Sequence, residues 1–128
     1  MLIYEAGSRG LSRHTLLSEA ASILAIHLHE AAGRTAYLGA FHAAQAFIFE
    51  QTGKTPKTHG GVHREFLRLS RDDAHIAPDL RIFLSQSYNL KFIADYETGP
   101  GAKVTAELAT ATLDTARRFV ARIAALLE

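Results

Sequence analysis

Apolar residues recur every three or four positions along most of this chain, and the pattern breaks at clusters of glycine and proline. From about Ser12 to Leu28, the residues Leu16, Ala20, Ile23, Leu24 and His27 share one helical stripe, with Ser12 placed as an N-cap. A second helix is predicted from about Glu30 to Gln51, with Gly53 as its stop. It is apolar on nearly every side: Tyr37, Phe41, Ala44 and Ile48 form one stripe, and Ala36, Ala40, Ala43 and Phe47 form another. Such a helix belongs in the middle of a bundle, and Ala36, Gly39, Ala40 and Ala43 leave room for a neighbouring backbone to approach.

Lys54 to Gly61 reads as a loop around Pro56 and the Gly60–Gly61 pair, followed by a short helix from about Val62 to Ser70. Pro78 suits the first turn of a fourth helix reaching Tyr96, and Gly99-Pro100-Gly101 ends it. The last helix, about Lys103 to Leu127, carries Val104, Leu108, Ala111, Thr115, Phe119, Ile123 and Leu126 at helical spacing. No strand pattern and no internal repeat emerges. The expected fold is all-α, an up-and-down antiparallel bundle of four main helices plus a short extra helix.

A length of 128 residues, 48% of them hydrophobic, suits one compact domain spanning the whole chain. Fourteen basic residues face thirteen acidic ones, so any attraction to nucleic acid must come from a local surface rather than from the total charge. The absence of cysteine excludes disulfides, thiolate metal sites and a cysteine nucleophile. There is no basic segment followed by an apolar run at the start, and no apolar stretch long enough to span a bilayer. The expectation is a soluble cytoplasmic chain without a membrane partner.

Three motifs then narrow the reading. The run A-Y-L-G-A-F-H-A-A-Q-A (Ala36 to Ala46), the loop P-K-T-H-G-G-V (Pro56 to Val62) and the stretch K-F-I-A-D-Y (Lys91 to Tyr96) together resemble the HEPN family. More narrowly, they resemble its small bacterial single-domain members, whose corresponding segments read A-Y-Y-A-A-F-H-A-A, K-T-H-S-G-V and R-x-x-A-D-Y. Order and spacing agree, and the resemblance runs from about Leu16 to the end of the chain.

The resemblance implies an up-and-down helical bundle that pairs into a symmetric homodimer. It implies RNA as target, a small nucleotidyltransferase antitoxin as partner, and no metal or other cofactor. Many such proteins are metal-independent ribonucleases with an R-x4-6-H motif, in which arginine steadies phosphate charge and histidine assists proton transfer. Carried onto this chain, Lys91 stands where the arginine is expected and Tyr96 where the histidine is expected. Lysine keeps the charge but loses the planar fork, and an ordinary tyrosine, with a pKa of about 10, shuttles protons poorly at neutral pH. The expectation is a dimeric RNA- or nucleotide-associated module of a toxin–antitoxin type system, with a degenerate site and weak or no catalysis. The alternative is an active ribonuclease toxin with a nonstandard site.

Residue geometry leaves choices open at each candidate. Five residues of ideal helix rotate by roughly 140°, so Lys91 and Tyr96 would not share a face unless the helix unwinds or a second subunit completes the site. Lys91 and Asp95 are spaced for a simple i,i+4 ion pair. His42 shares a face with Gln45 and is either a substitute acid–base or a histidine satisfied within the fold. His59 and His63 would suit a metal if both were helical, but the intervening glycines and the lack of a suitably spaced carboxylate argue against that. Arg9 and His14 match R-x4-H by accident in a Gly/Ser-rich lead-in. Arg64, Arg68 and Arg71 fall on one face of the third helix, with Lys54 and Lys57 before them, and form the candidate nucleic-acid surface; Glu65, Asp72 and Asp73 dilute it. Most aromatic residues fall in core stripes, so no stacking platform for RNA bases is evident.

Overall fold

The computed structural model describes residues 2–90 and 103–128, with side chains from Arg13 onwards within those ranges. Among the described residues there are six helices and no strand: α1 (Leu2–Ala25), α2 (His29–Thr52), α3 (His59–Ser70), α4 (Pro78–Arg81), α5 (Phe83–Ser87) and α6 (Ala106–Leu127). The all-α bundle expected from the hydrophobic pattern is the fold observed. No helix among the described residues is long and apolar enough to cross a membrane.

The alanine-rich α2 is the axle, packing against α1, α3, α5 and α6. Ala32, Ala36, Tyr37, Ala40, Phe41, Ala43, Ala44, Phe47 and Ile48 are all buried along it. Its small residues set how near the neighbours come. A methyl group on Gly39 would sit 3.1 Å from Leu17 Cδ2 and 3.2 Å from the Arg13 carbonyl, and one on Gly33 would overlap Leu90 Cδ1 at 2.1 Å. The middle of the core is a relay of rings: Phe47 on Phe66 at 5.5 Å, Phe66 on Phe119 at 5.1 Å, and Phe119 on Phe83 at 6.0 Å between centroids. One chain of edge and tilted contacts thereby ties α2, α3, α6 and α5 together.

Several boundaries differ from the sequence-based expectation. Helix α1 begins at Leu2, so Ser12 lies inside it and is no N-cap, and the glycine-containing lead-in is helical. Helix α3 begins at His59, three residues before the expected Val62. Its N-cap is Thr58, whose Oγ1 accepts the Gly61 N–H at 3.0 Å, and that bond overrides the breaking tendency of Gly60 and Gly61. The expected fourth helix opens at Pro78 as foreseen but is split at Ile82 (φ −99°, ψ −2°), with Arg81 Nε donating to the Ile76 carbonyl at 3.2 Å. Its continuation to Tyr96 lies outside the described residues.

The α1–α2 turn carries a backbone feature that the sequence does not advertise. His27 N–H donates to the Leu24 carbonyl at 3.0 Å and Leu28 N–H to the Ile23 carbonyl at 3.3 Å, the bond pair of a Schellman ending. The left-handed position of that motif, normally glycine, is His27 with φ 65°. A side chain there costs energy that glycine would not. His27→Gly is therefore expected to raise stability by about 1 kcal/mol, and His27→Val to lower it by at least as much, in urea denaturation.

Candidate functional site

Two sequence features converge on one point. Helix α2 carries Tyr37 toward α3, and the Thr58 cap starts α3 early enough to make His59 and His63 neighbours one turn apart. Both imidazoles meet the same phenol: Tyr37 Oη lies 2.7 Å from His59 Nδ1 and 2.7 Å from His63 Nε2. Phe41 packs against His59 at 4.4 Å between centroids. Tyr88, just past α5, covers the group, stacking on His59 at 4.9 Å and 11° and on Tyr37 at 5.4 Å and 30°. His63 meets Tyr88 edge-on at 5.3 Å and 80°.

The hydroxyl has one proton to give, and that fixes the electrostatics. Oη donates to one imidazole nitrogen and must accept an N–H from the other. Burial lowers the basicity of His63, and repulsion from the charge of His59 lowers it further. The two imidazoles therefore take opposite roles toward Oη, one accepting the hydroxyl proton and the other donating its N–H. Burial, and secondarily Tyr88, push ionisation of Tyr37 far above the ordinary phenol value, so the bridge stays a neutral hydroxyl. One added proton is accommodated without breaking either bond. A second would turn both facing nitrogens into donors and strand the hydroxyl proton of a side chain only 2% exposed.

The residues singled out from sequence are distributed as follows. Lys91, Asp95 and Tyr96 lie outside the described residues. The flanks of that segment are anchored together, because Leu90 and Val104 share a small buried cluster with Ala109. His42 is half-buried on α2, edge-on to Phe41 at 6.1 Å, at the border of the tyrosine–histidine group. Lys54, Lys57, Arg64, Arg68 and Arg71 are all exposed. Arg68 is tied to Glu65 through Nε at 3.2 Å and through a second bond from Nη2. Lys54, Lys57, Arg64 and Arg71 carry no ion pair among the described residues.

Tyr37, His59, His63 and Tyr88 were not legible as one site. The spacing of His59 and His63 was visible, but their glycines pointed to a loop, and the capping threonine was the signal that would have corrected it. The described residues place no third histidine or carboxylate beside the pair; what joins the two rings is a phenol. Tyr88 is an aromatic residue outside the core, 52% exposed.

Comparison with known proteins identifies the family. The family model for the HEPN domain matches residues 15–126. A Methanocaldococcus jannaschii protein named "Putative toxin MJ0605" is 32% identical over 112 residues, covering 88% of this chain and 81% of the relative. The chain belongs to the HEPN domain family.

The pH dependence of stability has a defined sign. A folded-state pKa below the unfolded one gives a contribution that is complete above the ordinary imidazole value of about 6.5 and is lost as pH falls through the depressed value. His63→Gln keeps an amide where Nε2 stood but cannot titrate. Its stability is expected to fall less steeply than the parent's below about pH 6.5 in urea melts across pH. Tyr37→Phe strands both half-buried nitrogens and is expected to cost about 1–3 kcal/mol at pH 7.5 in the same assay.

Proposed function

We propose that this protein is the RNA-directed member of a toxin–antitoxin type pair. In this reading it is a cytoplasmic homodimer that grips RNA phosphates and is held in check by a nucleotidyltransferase partner. The observation that carries the reading is the match over 88% of the chain to a relative named as a toxin, within the HEPN family. The exposed cations Lys54, Lys57, Arg64, Arg68 and Arg71 support it chemically, because they sit on the loop leading into α3, on α3 and at its C-cap. Arg64 on the helix and Arg71 at its C-cap are the stronger phosphate ligands, since Glu65 opposes the charge of Arg68.

Catalysis is weak or absent in this proposal. Lys91 and Tyr96 replace the arginine and histidine that the ribonuclease members of the family use, and neither supplies the same chemistry: a lysine does not clamp phosphate through two parallel bonds, and a phenol near its ordinary pKa is a poor proton carrier. Asp95 and His42 are the remaining candidates for acid–base work around that segment.

Two measurements test the reading. Fluorescence anisotropy with single-stranded RNA is expected to show binding that weakens with salt. Arg64→Ala combined with Arg71→Ala should lower the slope of log K against log salt by about 1.4, two phosphates at roughly 0.7 each. Incubation with total RNA is expected to leave it intact. Cleavage by the parent that is lost in both Lys91→Ala and Tyr96→Phe would establish the alternative, an active ribonuclease with a nonstandard pair. Salt-insensitive binding, or none, would remove the RNA-directed assignment.

A further inference from the structure

The tyrosine–histidine group has a property that fold stability does not explain. Tyr88 is 52% exposed, yet its ring is held on three sides by other rings: flat on His59, tilted on Tyr37, and edge-on to His63. The rings beneath it are fixed in turn by the two hydrogen bonds to Tyr37 Oη. An aromatic side chain packed in this way has little rotamer freedom left to lose, while 52% of its surface remains exposed. Ligand stacking on such a face forfeits little further entropy.

Chemistry around the ring favours a nucleotide over a purely apolar ligand. The second nitrogens of the pair, His59 Nε2 and His63 Nδ1, carry no protein hydrogen bond among the described residues. The bridge tolerates one added proton, so an imidazolium N–H can be presented without dismantling the group. Lys57 precedes the capped start of α3 and Arg64 follows His63 directly, and both side chains are exposed without an ion pair among the described residues. A flat ring, a weakly basic imidazole and two unneutralised cations match the π-face and phosphate of a single-stranded polynucleotide.

We infer that Tyr88, backed by the His59–Tyr37–His63 relay, is a base-stacking site for single-stranded RNA. One base lies on the outer face of Tyr88, and an adjoining phosphate is held by an imidazole of the pair with Lys57 or Arg64. This deepens the proposed RNA-directed function and rests on it. Tyr88 is the anchor; Tyr37 is a positioning residue that acts through the two histidines.

The test uses the full-length protein and a fluorescein-labelled decaadenylate RNA in anisotropy titrations. Tyr88→Phe is expected to bind as the parent does, and Tyr88→Ala to lose about tenfold in affinity, with both variants keeping the parent's circular dichroism. A companion measurement needs no variant. A decamer carrying 4-thiouridine is irradiated with the unaltered protein, and the crosslinked peptide is expected to contain Tyr88. Parent-like binding by Tyr88→Ala, or equal losses in the Tyr88→Phe and Tyr88→Ala variants, would overturn the stacking site. So would crosslinks that fall only elsewhere. If RNA binding persists and still depends on Arg64 and Arg71, the RNA-directed reading stands and only this inference falls. If the parent does not bind RNA, both fall.

Discussion

A single buried hydroxyl, that of Tyr37, decides how α3 sits on α2. It accepts one hydrogen bond and donates one, both 2.7 Å long, to histidines one turn apart on the facing helix. Phe47 and Phe66 would let the helices slide by fractions of a turn, because apolar contacts are non-directional. The paired hydrogen bonds would not. A displacement of α3 along its axis breaks one bond or both and leaves a desolvated polar atom behind, at a cost comparable with that of a buried methylene cavity. The polar group thus specifies the position of α3, while the ring relay through Phe119 supplies most of the adhesion.

That specification depends on α2 being thin. At Gly33 and Gly39 a larger residue would force Leu90 and the α1 neighbours to shift, and the buried alanines keep the other flanks close. With α1 and α6 drawn in on the remaining sides, the large residues of α2 are left to point toward α3 and α5. Tyr37 and Phe41 are two of them. The same residue pattern that makes α2 the axle therefore aims its one buried phenol at the histidines. Packing and site are one consequence of where the small residues fall.

Legibility of the sequence follows the same division. Long elements with uninterrupted periodicity were readable, and α2 with its Gly53 stop is the clearest: φ 75° at Gly53 and its N–H on the Phe49 carbonyl at 2.7 Å are what a glycine stop implies. The HEPN resemblance was readable from three short motifs, because order and spacing survive substitutions within them. Local competition was not readable. The start of α3 pits the capping oxygen of Thr58 against two glycines, and propensity alone awards the segment to a loop. The break at Ile82 has no proline or glycine to mark it, and Leu80, Phe83, Leu84 and Ser87 are buried on either side of it. Tyr88 was unreadable for a different reason. Nothing in a lone tyrosine tells whether it is core or platform until the rings beneath it are placed.

Opposite charges are paired unevenly over this chain of net charge +1. Acidic residues sit beside particular cations: Glu30 by Arg34, Glu65 by Arg68, Asp114 by Arg117, and Asp79 by Arg118 at 2.8 Å. These exposed pairs add little to stability. Their effect is on the field, because each cancels a positive charge over α2, the middle of α3 or α6. The described ion pairs leave out Lys54, Lys57, Arg64 and Arg71, which lie on the α2–α3 loop, on α3 and at its C-cap. These four positive charges are not offset by a described ion pair, even though the totals nearly cancel. A balanced composition excludes only a uniform attraction to nucleic acid, and the pairing pattern decides where a local one persists.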